Sequence, residues 1–268
     1  MTPDTPVRRY MSLRAAVQTI RDRTLRFTLV ERFRERDPFE GTVPLTVQAQ
    51  LDVPIMGYYH RHNHQQQLAA HFDKDIRDLL RERPRDLLRD LSERRSAQRR
   101  SSYACCWMAG PESMLMWQLY ADSNGPGVCL ETTLGVLVHS VEGQNLLVRP
   151  IFYRDYHVID GYGFVDDLDL CMQKRVEYKD EREVRLLRYN PGHYNALLSA
   201  CPPPDLNPHE FFDWNPVLVL DRIVISPNAD EVREVEIRAA LEAAASVPGF
   251  GGKICLSSAH SRRFKPIA

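Results

Sequence analysis

Stretches that alternate apolar and polar residues recur along this chain at irregular intervals, separated by helical segments of unequal length, and that rhythm excludes most architectures. Thr24-Leu25-Arg26-Phe27-Thr28-Leu29 has the period of a half-buried strand, and just ahead of it Leu13, Val17 and Ile20 stand at helical spacing, so the opening reads as a short strand, a helix and a strand. Further strands are expected at residues 103–107, 127–132, 146–153, 183–187, 217–226 and 253–258. A short helix rich in Met and Trp is expected at 112–120, a helix ending within 174–179, and an amphipathic helix at 230–245. No regular βαβ beat links these segments, so the fold class is α+β rather than a doubly wound parallel sheet. No period of 20 to 50 residues recurs, which sets aside solenoids and propellers.

Loops are marked by their own chemistry. Asp37-Pro38-Phe39-Glu40-Gly41 is a fixed turn, because the residue before proline is pushed out of helical geometry and glycine permits the reversal. Gly125-Pro126-Gly127 and Cys201-Pro202-Pro203-Pro204 read as a turn and a loop. Between them in kind lies a charge-dense helical insertion at about residues 60–101. Ile76, Leu79, Leu80, Leu87, Leu88 and Leu91 form an apolar stripe there that Pro84 interrupts, as two helices meeting at the proline would.

With 268 residues, 43% of them hydrophobic, the chain can bury a sizeable core as a single domain over residues 1–268. Lys plus Arg number 35 against 36 Asp plus Glu, so no global field draws the molecule to nucleic acid or membrane and any such attraction is local. The six cysteines, at 105, 106, 129, 171, 201 and 255, form no Cys-x-x-Cys pair and read as reduced and mostly buried. Residues 1–9 are polar and Pro-rich, and no apolar run approaches membrane-spanning length, so a cytoplasmic protein without membrane partners is expected.

Glu181-Arg182-Glu183-Val184-Arg185 is the most informative site signal. In an extended segment Glu181 and Glu183 share a face, and two carboxylates that close raise one another's proton affinity, which suits a division between an ionised group and a proton carrier. The plainer reading is an edge strand whose charges are solvated and paired with Lys179, Arg182 and Arg185. His60, His62 and His64 alternate without a second half at a recognised metal spacing, and a polar surface segment explains them more simply. Arg94, Arg95, Arg99 and Arg100 form a run without acids that could grip phosphates, although a solvated helix end is the commoner meaning. Cys105 and Cys106 point to opposite faces of a strand and so read as core residues. Trp107, Trp117 and Tyr120, close to Met108, Met114 and Met116, read as core or, more sharply, as a shelf for a flat ring.

Several of these segments, in order, resemble a bacterial family known as domain of unknown function 2971. The resemblance rests on residues 8–13, on the loop ending Asp37-Pro38-Phe39-Glu40, on 103–108, on Met116-Trp117-Gln118-Leu119-Tyr120-Ala121-Asp122 leading to 127–131, on 181–185, and on 222–227 and 254–257. It spans nearly the whole chain and departs at Arg36, where the family has Asn, and at Trp107-Met108, where it has Phe-Ser. A second, shorter resemblance, in the order of Arg9-Tyr10, a middle strand with aromatic neighbours and a late Glu-x-Glu, is to the mono-ADP-ribosyltransferases. It implies a strongly bent, mostly antiparallel sheet flanked by helices, and NAD as substrate. Glu183 would then be the catalytic glutamate, Glu181 its acceptor-side partner, Arg9 with Tyr10 and Asp37 the NAD-binding group, and Trp117 or Tyr120 the stacking face. Such an enzyme, of the kind found among toxins and phage-defence effectors, would pass ADP-ribose to a macromolecular acceptor. A non-catalytic nucleic-acid-binding or interaction module led by Arg94–Arg100, and a metal-dependent hydrolase using the histidines, are the alternatives.

Overall fold

The computed structural model describes residues 1–41, 93–123, 125–155, 167–199 and 205–259. Its opening follows the sequence pattern, with β1 (Pro6–Met11), a helix over Leu13–Asp22 and β2 (Thr24–Leu29). Ser12 starts that helix by accepting the Ala15 amide, and Arg23 ends it in the left-handed conformation at φ 51. The later strands are β3 (Ser102–Ala109), β4 (Val128–Thr133), β5 (Leu147–Pro150), β6 (Phe152–Arg154), β7 (Gln173–Arg175), β8 (Glu183–Tyr189), β9 (His209–Asp213), β10 (Arg222–Ile225) and β11 (Ile254–Leu256).

Strand β3 organises the main sheet. One of its edges pairs with β8 from Ser102 opposite Tyr189 to Met108 opposite Glu183. The other edge is shared, by β1 at Met108 and Ala109 and by β2 at Tyr103 and Ala104. From that fork one wing runs β1, β4, β10, β11 and the other β2, β9, while β5 borders β8. All pairs are antiparallel except β10 with β11, and β6 with β7 forms a separate parallel pair. The chain is therefore a mixed fold with a mostly antiparallel sheet and helices packed on it.

The two faces of this sheet differ. On one, Val7, Leu130, Ile223, Trp107, Val184 and Leu186 pack against Ala16 and Ile20 of the first helix and Ile237 and Leu241 of the helix Glu231–Ala245. Asp230 caps that last helix through the Arg233 amide. Each such aliphatic side chain contributes about 1.5–3 kcal/mol by leaving water. On the other face, Tyr10, Met108, Cys129 and Val224 lie under Met116 and Trp117, and a separate patch gathers Ala104 and Leu187 with Val30, Ile151, Cys171 and Met172. The helical turns Met114–Met116 and Trp117–Ala121 roof the first patch. Gly127 lets the chain pass beneath them, since a Cβ there would stand 2.5 Å from both the Ala121 and Met11 carbonyl oxygens.

Several expectations change. The apolar run at 146–153 divides into β5 and β6, which belong to different sheets. The β-branched run at 217–226 begins as a helical turn, Pro216–Val219, because Pro216 favours a first helical position and the Asn215 side chain accepts the Val217 amide. Residues 174–179 end no α-helix; they cross from β7 into a 3₁₀ helix over Val176–Glu181. Of the insertion at 60–101, residues 93–100 form a helix. The rest of that insertion, with its junction at Pro84, and the Cys201–Pro204 loop lie outside the described residues. Cys105, Cys106, Cys129, Cys171 and Cys255 are free thiols, and no described helix is long and apolar enough to cross a membrane.

Candidate functional site

Alternation along β8 sends Val184 and Leu186 into the helix-packed core and turns Glu183, Arg185 and Leu187 to the other face. Strand β8 is flanked by β3 and β5, so it is an interior strand and its charges are buried, not the solvated edge charges of the plainer sequence reading. Arg185 holds them in place. Its Nε donates to Glu183 Oε1 at 2.8 Å, its Nη2 to Glu40 Oε1 at 2.8 Å, and its Nη1 to the Cys171 carbonyl.

Glu181 reaches the same place by another route. It ends the 3₁₀ helix, and Arg182, in the left-handed conformation at φ 45, separates it from β8, so the two glutamates do not share the face of one strand. Lys174 on β7 joins them instead, with Nζ 2.6 Å from Glu181 Oε2 and 2.6 Å from Glu183 Oε2, and 3.9 Å from Glu40 Oε2. The Tyr120 hydroxyl donates to Glu181 Oε1 at 2.7 Å, and the Tyr153 hydroxyl accepts the Glu183 amide at 2.7 Å. Arg36 lies over the Tyr120 ring, 5.5 Å from its centre.

The electrostatics separate the carboxyls. Burial alone would raise Glu183, but Arg185 and Lys174 hold it well below the usual carboxylate range. Glu40 moves the other way, pushed up by burial against the pull of Arg185 and Lys174. Lys174 is raised by Glu183, Glu40 and Glu181 despite its own burial, which keeps it an ammonium. Burial and then Glu181 raise Tyr120, and burial raises Cys106, whose thiol hydrogen-bonds Glu183. Both stay protonated, Tyr120 as a donor to Glu181.

The other sequence candidates fall elsewhere. Arg9 shares the Val7 and Met11 side of β1 by alternation, opposite to Glu183, and its Nη2 donates to the Arg26 carbonyl at 3.1 Å; it does not join the glutamates. The arginine of β1 that does share their face is Arg8, one residue earlier. Register places Arg222, Glu131, Arg8, Met108 and Glu183 in one row across β10, β4, β1, β3 and β8. Arg8 Nη2 pairs with Glu131 Oε2 at 2.6 Å and its Nη1 meets the Gly110 carbonyl.

Tyr10 and Trp117 are core, edge to face at 4.9 Å, with the Tyr10 hydroxyl accepting the Ser113 amide and Trp117 Nε1 donating to Glu112, so neither offers a free ring face as a shelf would need. Trp107 lies on the opposite face, against Trp214, and Met114 is exposed. Asp37 is buried and anchors its loop, accepting the Phe39 amide and pairing with Arg175 at 3.0 Å. In the helix 93–100, Arg99 is buried and paired with Glu31 at 2.6 Å, so it is not part of an open phosphate grip; Arg94 is exposed and Arg95 and Arg100 are half-buried. His60, His62 and His64 lie outside the described residues, among which no group of three or more His, Cys, Asp or Glu could hold a metal ion.

Sequence reasoning passed over Glu40, Lys174 and Tyr153, and gave Arg185 only as a solvated partner. Arg185 carried a signal, standing two residues beyond Glu183 and hence on its face. Lys174 carried none, because nothing local shows that β7 approaches β8. No family model matches the chain, and no curated protein or solved structure matches it either.

Proposed function

We propose that this chain is an NAD-consuming, ADP-ribosyltransferase-like enzyme whose centre is the outer end of the buried charge cluster, where Tyr120, Glu181 and Lys174 meet. The observation that carries the reading is the convergence of Glu181 and Glu183 on one lysine nitrogen, each at 2.6 Å. The adjacency of β1, β3 and β8, the strands that carry the three-part resemblance, supports a fold of the ADP-ribosyltransferase kind.

Breaking the bond between nicotinamide and C1′ of the ribose sends its electron pair to the leaving nicotinamide and leaves positive charge on the sugar. A fixed carboxylate beside C1′ stabilises that charge most at the transition state. Glu181 is the carboxylate for this role, since Glu183 is enclosed by Arg185, Lys174 and Tyr153. The acceptor's oxygen or nitrogen then bonds to C1′, and its proton passes to Glu181. Glu183 acts through Lys174 as a positioning residue. Arg36 and Arg182 are exposed and pair with no carboxylate among the described residues, which suits them to the diphosphate in place of Arg9.

Purified protein mixed with NAD and with protein, DNA or RNA acceptors is expected to release nicotinamide and transfer labelled ADP-ribose. Glu181→Gln should lower both by roughly 10²–10⁴-fold, the usual contribution of a placed acid or base. A wild-type protein that leaves NAD intact with every acceptor class overturns the proposal.

A further inference from the structure

The charge cluster contains three carboxyl groups, Glu40, Glu181 and Glu183, and two cations, Lys174 and Arg185. None is well solvated. Glu40, Glu181, Glu183 and Arg185 are at most 6% exposed, and the Lys174 side chain is 11% exposed. With all five ionised, the cluster would hold one uncompensated negative charge away from water, which proteins avoid by neutralising a group. One bound proton restores the balance.

Contacts decide where it resides. Glu183 has Arg185 Nε at 2.8 Å and Lys174 Nζ at 2.6 Å, and Glu181 has Lys174 Nζ at 2.6 Å and the Tyr120 hydroxyl at 2.7 Å. Glu40 has Arg185 Nη2 at 2.8 Å on one oxygen, while the other stands 3.9 Å from Lys174 Nζ, beyond hydrogen-bond reach. The lysine spends its short contacts on the other two acids. We propose that Glu40 is a neutral carboxylic acid in the folded protein at neutral pH, a fixed proton store that leaves both cations to the other two acids.

The groups that face Glu40 agree with that assignment. Glu183 and Arg185 approach from β8, Lys174 from β7, and the Cys171 thiol from the turn Asp167–Met172. Burial holds that thiol up at about 11, so it adds no charge. The net direction for Glu40 is upward, with burial the largest cause and Glu183 acting the same way. In the reaction proposed above, and resting on that reading, Glu40 is a positioning residue. It leaves Lys174 free to hold Glu181 and Glu183 together, which fixes where the outer acid stands beside the sugar.

The linkage signs give opposite expectations for two isosteric variants. A carboxyl raised in the fold costs stability as pH rises through its folded value, so Glu40→Gln removes that loss. A carboxyl held down contributes stability above its unfolded value, lost as pH falls, so Glu183→Gln forfeits it at neutral pH. The test is difference infrared spectroscopy with thermal melts, neither of which depends on NAD turnover. Wild type minus Glu40→Gln should show a protonated-carboxyl band at neutral pH, and the Tm of Glu40→Gln should stay within a few degrees of wild type. Glu183→Gln should lose the band, because two cations then face two carboxyl groups and Glu40 ionises, and it should melt roughly 10 °C lower through the lost contacts to Arg185 and Lys174. Absence of the difference band, or equal losses of Tm in the two variants, overturns the proposal. Should Glu40→Gln fail to fold, carboxyl-carbon NMR of the wild type decides. A glutamate still protonated at neutral pH supports the assignment, and complete ionisation of all glutamates overturns it.

Discussion

The face of the sheet carrying Val7, Leu130, Trp107 and Val184 is apolar apart from Arg9 and Thr132, whereas the opposite face parts two apolar patches with Glu183 and Arg185. Both faces are buried, so the difference is one of chemistry and not of exposure. Hydrophobic side chains could fill the charged positions at little or no cost in stability, because ion pairs removed from water seldom repay their desolvation. Stability alone therefore gives no reason for the cluster, and its presence points to a task. The apolar face tolerates change gradually; the charged face does not wherever a change leaves Arg185, Lys174 or Glu183 without its counter-charge.

Breaking that contrast begins with Arg185→Ala, which strands Glu183 and removes the hydrogen bond to Glu40. A loss of about 3–5 kcal/mol is expected from the urea midpoint. Replacing Glu40, Glu183 and Arg185 together by apolar residues of similar volume should instead leave stability near wild type or raise it by about 1–4 kcal/mol, and nicotinamide release should disappear. If the triple variant is as unstable as Arg185→Ala, the two faces are not interchangeable and the comparison fails. Tyr120→Phe sharpens it at the rim, where losing a hydrogen bond to a charged acceptor should cost about 1.5–3 kcal/mol in the same assay. On the apolar face, Ile223→Val should cost only about 0.5–1.5 kcal/mol, the graded response of a packed core.

Much of the fold was legible because it depends on local patterns. The first strand, helix and second strand, the strand through Tyr103 and Trp107, and the helix after Asp230 were read from local patterning. Where proline and asparagine set a local preference at 215–216, the apolar run misled, since β-branched residues do not outweigh a capped helical turn. The site was half legible. Glu181 and Glu183 were found, and they do meet, but through Lys174 and a left-handed residue that no two-residue period reveals. Arg9 was preferred to Arg8 because sequence order does not say which side of a first strand faces a distant one; a shift of one residue exchanges the faces. Glu40 sits in a loop whose turn chemistry was evident and whose destination was not.

The joint at Arg182 has its own consequence. Residues other than glycine sit in that backbone conformation at a cost of about 1–2 kcal/mol, yet here it sets how the two acids on either side of Arg182 are placed. Their separation can thus be retuned by altering the connecting residue, with neither acid replaced and no strand slipping in register. In the proposed reaction, the size of the sugar-like group admitted would then follow from residue 182 alone.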